Sequence, residues 1–234
     1  MSQHKNSTMP ESNAYDRLRT EILHGDLAPG ERLRVADLNA RFNLGLTPIR
    51  EALMRLSSEG LVETLANRGA RVREATLDEL RDLMETRRTI EEICLRRAIE
   101  RGESSWEADI LHALHMLVRA PLPASADDRD RAAAWEQHHR RFHACLVSAC
   151  GSAWHLRFWN TLVDHSERYR KLRLLNHQTL AADVRNVNAE HEEIARAAIA
   201  RDAERAVGLM TEHLRHTEAA VARLLTQDTE PIPS

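Results

Sequence analysis

Only six residues separate two helical patterns near the start of this chain, and that interval limits the fold more than any other feature. Val35, Leu38 and Phe42 recur as a short apolar stripe, Asn43-Leu44-Gly45 forms a tight connection, and Thr47-Pro48 opens the next helix. A threonine hydroxyl caps free N–H groups and proline needs no hydrogen bond in the first turn, so the pair predicts Thr47 as N-cap and Pro48 as the first helical residue. Beyond it Ile49, Ala52, Leu53 and Leu56 fall at i, i+3, i+4 and i+7, which turns Arg50, Met54 and Ser57 to the opposite side.

Two flanking patterns complete a module. Tyr15, Leu18 and Ile22 recur at helical spacing until Gly25, with Pro29-Gly30 behind them as a turn. After Gly60, the stretch Leu61 to Thr64 reads as a strand, Asn67-Arg68-Gly69 as a turn, and Ala70 to Arg73 as a second strand. Helix, Gly-containing turn, helix and hairpin predict a winged helix-turn-helix over 13–74 with a two-stranded wing, preceded by a flexible tail, 1–12. A recognition helix enters the major groove by its N-terminal end, which places Thr47 at phosphate and Arg50 at a guanine edge. Arg68, with Gly69 allowing close backbone approach, is positioned for the adjacent groove or for phosphates. Taken singly, each arginine is equally well read as part of a solvated face.

Composition bounds the remainder. With 42% hydrophobic and 29% charged residues but only 8 Gly and 7 Pro, the 234-residue chain fits two mainly helical domains. No apolar run has membrane-spanning length and Met1 to Pro10 is polar, so no membrane partner and a cytoplasmic location are expected. Cys94, Cys145 and Cys150 sit in helical patterns without metal-finger spacing and are read as reduced, buried thiols. Residues 1–74 hold 11 Lys/Arg against 10 Asp/Glu, and the rest 22 against 26, so DNA binding must rest on arrangement and not on bulk charge.

From Thr76 onward the pattern is helical throughout. Thr76-Leu77-Asp78-Glu79 and Ser104-Ser105-Trp106-Glu107 read as capping boxes. The first opens a helix with Leu80, Leu83, Ile90 and Ile93 as apolar positions. Further helices are expected near 127–150, 153–175, 184–200 and 203–226, an all-α bundle over 75–227, with 228–234 a flexible tail. Glu136, His139 and His143 share one face beside the stripe of Trp135, Phe142 and Leu146, while His191 and His213 lie on later helices. Histidines placed so are either hydrogen-bonded core residues or ligands of a divalent transition metal, Zn or Ni. No HExxH element and no activated serine or cysteine accompanies them, so an enzyme is not expected; a metalloenzyme built on the bundle and a metal sensor are the alternatives.

The segments LRTEILHGDLAPGERL and LTPIREALMRLSSEGLVETLANRGARV resemble the winged helix of the GntR family across Leu18 to Val72, with PGxxL, TPxREAL, EGLV and RGxxV elements in order. Gly45-Leu46 stands where the family commonly has Ser-Arg, which implies a shifted operator preference. Residues 76–226 resemble the FCD ligand-binding domain of the FadR-type subgroup. That resemblance implies a metal held by His139, His143, His191 and His213, with His139 in place of the usual carboxylate or amide and Glu136 a ligand or a support behind the ligands. It also implies an Arg-x3-Glu element, Arg87 and Glu91, in which Arg87 clamps a small carboxylate or dicarboxylate effector; an intrahelical Arg–Glu pair is the alternative. Tyr169 is a further candidate for lining the pocket. The segments HHRRFHACLVSACGSAW and SERYRKL are similar to those of repressors of glutarate and 4-aminobutyrate catabolism. The expectation is therefore a homodimeric repressor on double-stranded operator DNA, released by a small acid.

Overall fold

The computed structural model describes residues 13–65, 69–123, 125, 128–175 and 185–227, with the side chains of 171–175 and 227 set aside. The chain divides into two compact units, Met1–Glu74 and Ala75–Ser234. Both expected tails lie outside the described residues, as does Arg68.

In the first unit α1 (Ala14–Leu23) starts at Asn13, whose Oδ1 accepts from the Asp16 amide at 2.9 Å. Strand β1 (Arg32–Leu33), α2 (Val35–Phe42), α3 (Leu46–Ser58), β2 (Val62–Leu65) and β3 (Gly69–Val72) follow. Helix α3 packs against α1 and α2. Ile49, Ala52, Leu53 and Leu56 join Leu18, Ile22, Leu33 and Leu38 in one buried cluster, as their helical spacing requires.

Two expectations are corrected here. The sheet has three strands in the order β1-β3-β2, because Arg32 and Leu33 pair antiparallel with Arg71 and Ala70. Two residues carry no alternation to be read, yet Leu33 is buried and its neighbours pair with the inner edge of the wing. The second correction concerns the start of α3. Gly45, not Thr47, is the N-cap residue, at φ 84°, and the helix begins at Leu46. The Asn39 Oδ1 accepts from the Gly45 amide at 2.8 Å, and the left-handed backbone that glycine tolerates swings the chain into the helix early. Pro48 is then the third helical residue, still within the turn whose N–H groups have no helical partner.

The second unit contains α4 (Leu77–Arg101), α5 (Ser104–Arg119), α6 (Arg129–Val147), a 3-10 turn (Ser148–Cys150), α7 (Ala153–Leu175), α8 (Val187–Ile199) and α9 (Ala203–Gln227). Helix α4 packs against α7 and α9, α5 against α6 and α8, and α8 against α9. Thr76 caps α4 through the Glu79 amide at 3.2 Å. Ser104 does not cap α5; Glu103 is the N-cap residue and no side chain closes the turn. Trp106 is drawn inward instead, donating from its indole to the Cys145 carbonyl at 2.8 Å. Its ring lies where a Cβ on Gly102 would meet it at 2.3 Å, so only glycine fits before this helix.

The inward stripe of α4 also differs from the expected one. Leu80, Met84, Arg87, Glu91, Cys94 and Ala98 are buried, whereas Leu83 and Ile90 are half-buried and Ile93 is exposed. A buried Arg and Glu thus occupy core positions. Cys94, Cys145 and Cys150 are free and buried, and burial raises the pKa of Cys94 to about 12.

Candidate functional site

Each unit presents one arrangement with chemical potential. In the first, α3 buries one side and exposes Leu46, Thr47, Arg50 and Met54 on the other. Arg50 enters no salt bridge among the described residues, so its guanidinium is available. In the first turn of α3 the N–H groups have no helical acceptor, and such a terminus attracts a phosphate. Gly69 opens β3 at φ 88°, and a Cβ there would stand 3.4 Å from the Leu33 carbonyl. Glycine is needed for that backbone, which weakens Gly69 as evidence of close approach to DNA.

In the second unit His139 and His143 on α6, His191 on α8 and His213 on α9 converge, each buried, with one ligating nitrogen apiece all within 4.8 Å of one another. The His139 and His143 Nε2 atoms stand 3.1 Å apart. Helical spacing explains the first pair, since residues four apart lie one above the other. Trp135 stacks on the His139 ring at 4.7 Å between centroids, and Phe142 meets His191 edge-on at 5.1 Å. Burial, joined by the positive charge of Arg170, holds His139 neutral well below its ordinary pKa, and burial does the same for His143. His213 is lowered to about 4, again by burial, with Glu190 opposing. Neutral imidazoles keep a lone pair, which a metal requires.

Behind the cluster lie two carboxylates. Glu190 Oε2 is 2.9 Å from His213 Nδ1. Arg185 Nη2 is 3.0 Å from the same nitrogen, but it has the His213 carbonyl at 3.0 Å as well, so Nδ1–H donates to Glu190 and Arg185 donates to the carbonyl and to Glu190. That tautomer leaves Nε2 with its lone pair, the usual support of a metal-ligating histidine. Burial favours a protonated Glu190, yet hydrogen bonds from Arg185 and His213 outweigh it and hold the carboxyl well below its usual range. Glu136 Oε1 lies 3.7 Å from His139 Nδ1, while Arg170 grips the same carboxylate.

Arg170 belongs to a wholly buried polar group. Its Nη1 donates to Ser166 Oγ at 3.0 Å, and Arg87 Nη1 donates to that oxygen at 2.6 Å. Arg87 Nε is 3.6 Å from Glu91 and makes no hydrogen bond, and Glu91 accepts from the Trp159 indole at 2.8 Å. Burial lowers Arg87 to about 10 despite Glu91. The intrahelical pair is therefore present, but inside the protein and not on its surface. Tyr169 is placed elsewhere: its hydroxyl donates to Glu79 at 2.7 Å beside Arg168, and no ring contact links it to the histidines.

A family model described as bacterial regulatory proteins, gntR family, matches residues 10–72, and one described as FCD domain matches residues 82–216. The chain belongs to the GntR family, with an FCD domain as its C-terminal unit. It is a DNA-binding transcriptional regulator and not an enzyme. The uncharacterised HTH-type transcriptional regulator BphR of Paraburkholderia xenovorans is 38% identical over 207 residues, 88% of this chain and 83% of BphR. The HTH-type transcriptional repressor GlaR of Escherichia coli is 33% identical over the same length, 88% of this chain and 93% of GlaR. The fold is that of the solved E. coli McbR/YncC, with a TM-score of 0.72 over 93% of this chain and 97% of that one, at 20% identity.

For this GntR regulator, Ser166, Arg170, Arg185 and Glu190 escaped the sequence reading. Trp159, Val163, Ser166 and Arg170 recur at i, i+4, i+7 and i+11 along α7 and are all buried. An arginine continuing an apolar stripe was the available signal. Among the described residues no helix is long and apolar enough to cross a membrane.

Proposed function

We propose that this regulator is a cytoplasmic homodimeric repressor whose C-terminal unit holds a divalent transition metal, Zn or Ni, and leaves its operator when a small carboxylate or dicarboxylate enters beside that metal. The observation that carries this reading is the convergence of four buried imidazoles with nitrogens within 4.8 Å, of which His139, His143 and His213 are held neutral by burial. An all-nitrogen donor set suits Zn, Ni or Cu better than Mg or Mn. The 3.1 Å between the His139 and His143 Nε2 atoms is close to the edge of about 3.3 Å expected of a tetrahedral Zn–N shell. When bound, the ion supplies a Lewis-acidic face for an anion.

The chain's own side chains do the rest. Glu190 stands behind His213 within hydrogen-bond distance and orients its ring, while Glu136 stands 3.7 Å from His139 Nδ1 as a nearby negative charge. Arg87, Arg170 and Ser166 form a wall of donors in which charge-assisted hydrogen bonds would take a carboxylate, with Arg87 Nε the donor still to be satisfied. On DNA, Thr47 and the start of α3 meet phosphate, Arg50 meets a base edge, and Arg68 and Gly69 of the wing approach the adjacent backbone. Release requires the acid to favour the conformation of low operator affinity. GlaR, a relative named as a repressor, supports the direction of control.

A shell of four nitrogens can also be complete without an acid, which favours a second reading in which the metal is itself the signal. Operator mobility shifts on protein stripped by chelator, restored with Zn, and then given a series of C4 to C6 dicarboxylates separate the two. Acid-dependent release of the Zn-loaded protein supports the first, and switching by Zn alone the second. His143→Ala should carry less metal while staying folded; full metal content in that variant overturns the site.

A further inference from the structure

Among the described residues of the N-terminal unit, two large apolar side chains are exposed, Leu46 at 46% and Met54 at 73%. Both lie on the outward side of α3. With Arg50 between them they stand at i, i+4 and i+8, one line along the helix, while Ile49, Ala52, Leu53 and Leu56 hold the other side in the core. A single exposed leucine needs no explanation. Two of them confined to the surface that faces the bases, in a unit that buries its other large apolar groups wholly or in part, do call for one.

The first residue of the helix is the one that reaches deepest into a groove entered by the N-terminal end. Leu46 holds that place, and Gly45 before it has no side chain to screen it. Leucine offers no donor or acceptor, so against guanine, cytosine or adenine it would strip water from base atoms and return nothing. The thymine C5 methyl is the one apolar group on the major-groove edge. Four residues of helix advance about 6 Å, one to two base steps at about 3.4 Å each. We infer that Leu46 reads the methyl of a thymine one or two base pairs from the base contacted by Arg50.

This rests on the reading of α3 as the base-contacting element, and the test keeps the two apart. Duplexes selected from a randomised pool by the full-length protein are resynthesised with deoxyuridine at each thymine in turn, which removes the methyl and nothing else. The wild type should lose about fourfold in affinity at one thymine of each half-site, the value of one buried methyl. Leu46→Ala should lose that sensitivity at that position, and Leu46→Met should keep it. Because Leu46 is half exposed at a helix start, neither change threatens the fold. A wild type indifferent to deoxyuridine at every thymine, or sensitivity that survives in Leu46→Ala, overturns the assignment. If Arg50→Ala still discriminates among operator variants as the wild type does, the failure lies with α3 as the reader; if it loses discrimination while deoxyuridine has no effect, only Leu46 is refuted.

Discussion

Acid should unfold the metal-free C-terminal unit earlier than a protein of this size would otherwise require. His139, His143 and His213 are buried and held neutral, the first two well below their ordinary pKa and His213 at about 4. In the unfolded chain each returns to about 6.5. As pH falls through 6.5 the unfolded chain takes up protons that the folded chain refuses, so stability present at pH 7 is lost progressively toward pH 4. From pH 7 to pH 5 each histidine costs about 2 kcal/mol, about 6 kcal/mol for the three. Glu91 and Glu167 act in the opposite direction, because burial raises their pKa and the folded chain then binds their protons more readily. They offset part of that sum, and a net loss is still expected, set against a total stability of about 5 to 15 kcal/mol. Trp106, Trp135, Trp154 and Trp159 are the chain's four tryptophans and all lie in the C-terminal unit, so their fluorescence follows that unit alone. Urea titrations of chelator-treated protein at pH 7 and pH 5 supply the measurement. Equal unfolding free energies at the two pH values, or a higher one at pH 5, would refute the reasoning that these rings are buried as neutral groups.

Two further outcomes concern the groups behind the histidines. Glu190→Gln should weaken Zn binding about 10- to 100-fold in competition with a chromophoric chelator, because glutamine amide groups do not hold His213 in the Nδ1–H form as a carboxylate does; wild-type affinity in this variant would remove Glu190 from the site. Glu136→Ala should cost about 3 to 5 kcal/mol by leaving the Arg170 guanidinium buried without its carboxylate, whereas Glu136→Ala with Arg170→Met should recover most of that loss in urea titrations. A double variant as unstable as the sum of the single ones would show that the two side chains are not coupled.

Much of this molecule is written in local pattern. The spacing of Ile49, Ala52, Leu53 and Leu56 determined which side of α3 is buried, and therefore that Arg50 and Met54 face outward, because a 3.6-residue repeat assigns faces without reference to partners. Thr76 capped its helix as the residue order implied, and His139 and His143 had to share a face. The tertiary structure decided what those faces meet. It brought α8 and α9 against the two histidines of α6, placed Arg87 and Arg170 on one serine hydroxyl, and turned a readable Arg–Glu pair into a buried one. It also decided where α3 begins, since the Asn39 bond to Gly45 joins residues six apart across a turn. Periodicity states that a side chain points inward, but not which side chain it finds there. A charged group in a core stripe is intelligible only when its counter-charge, supplied by a distant helix, is in place.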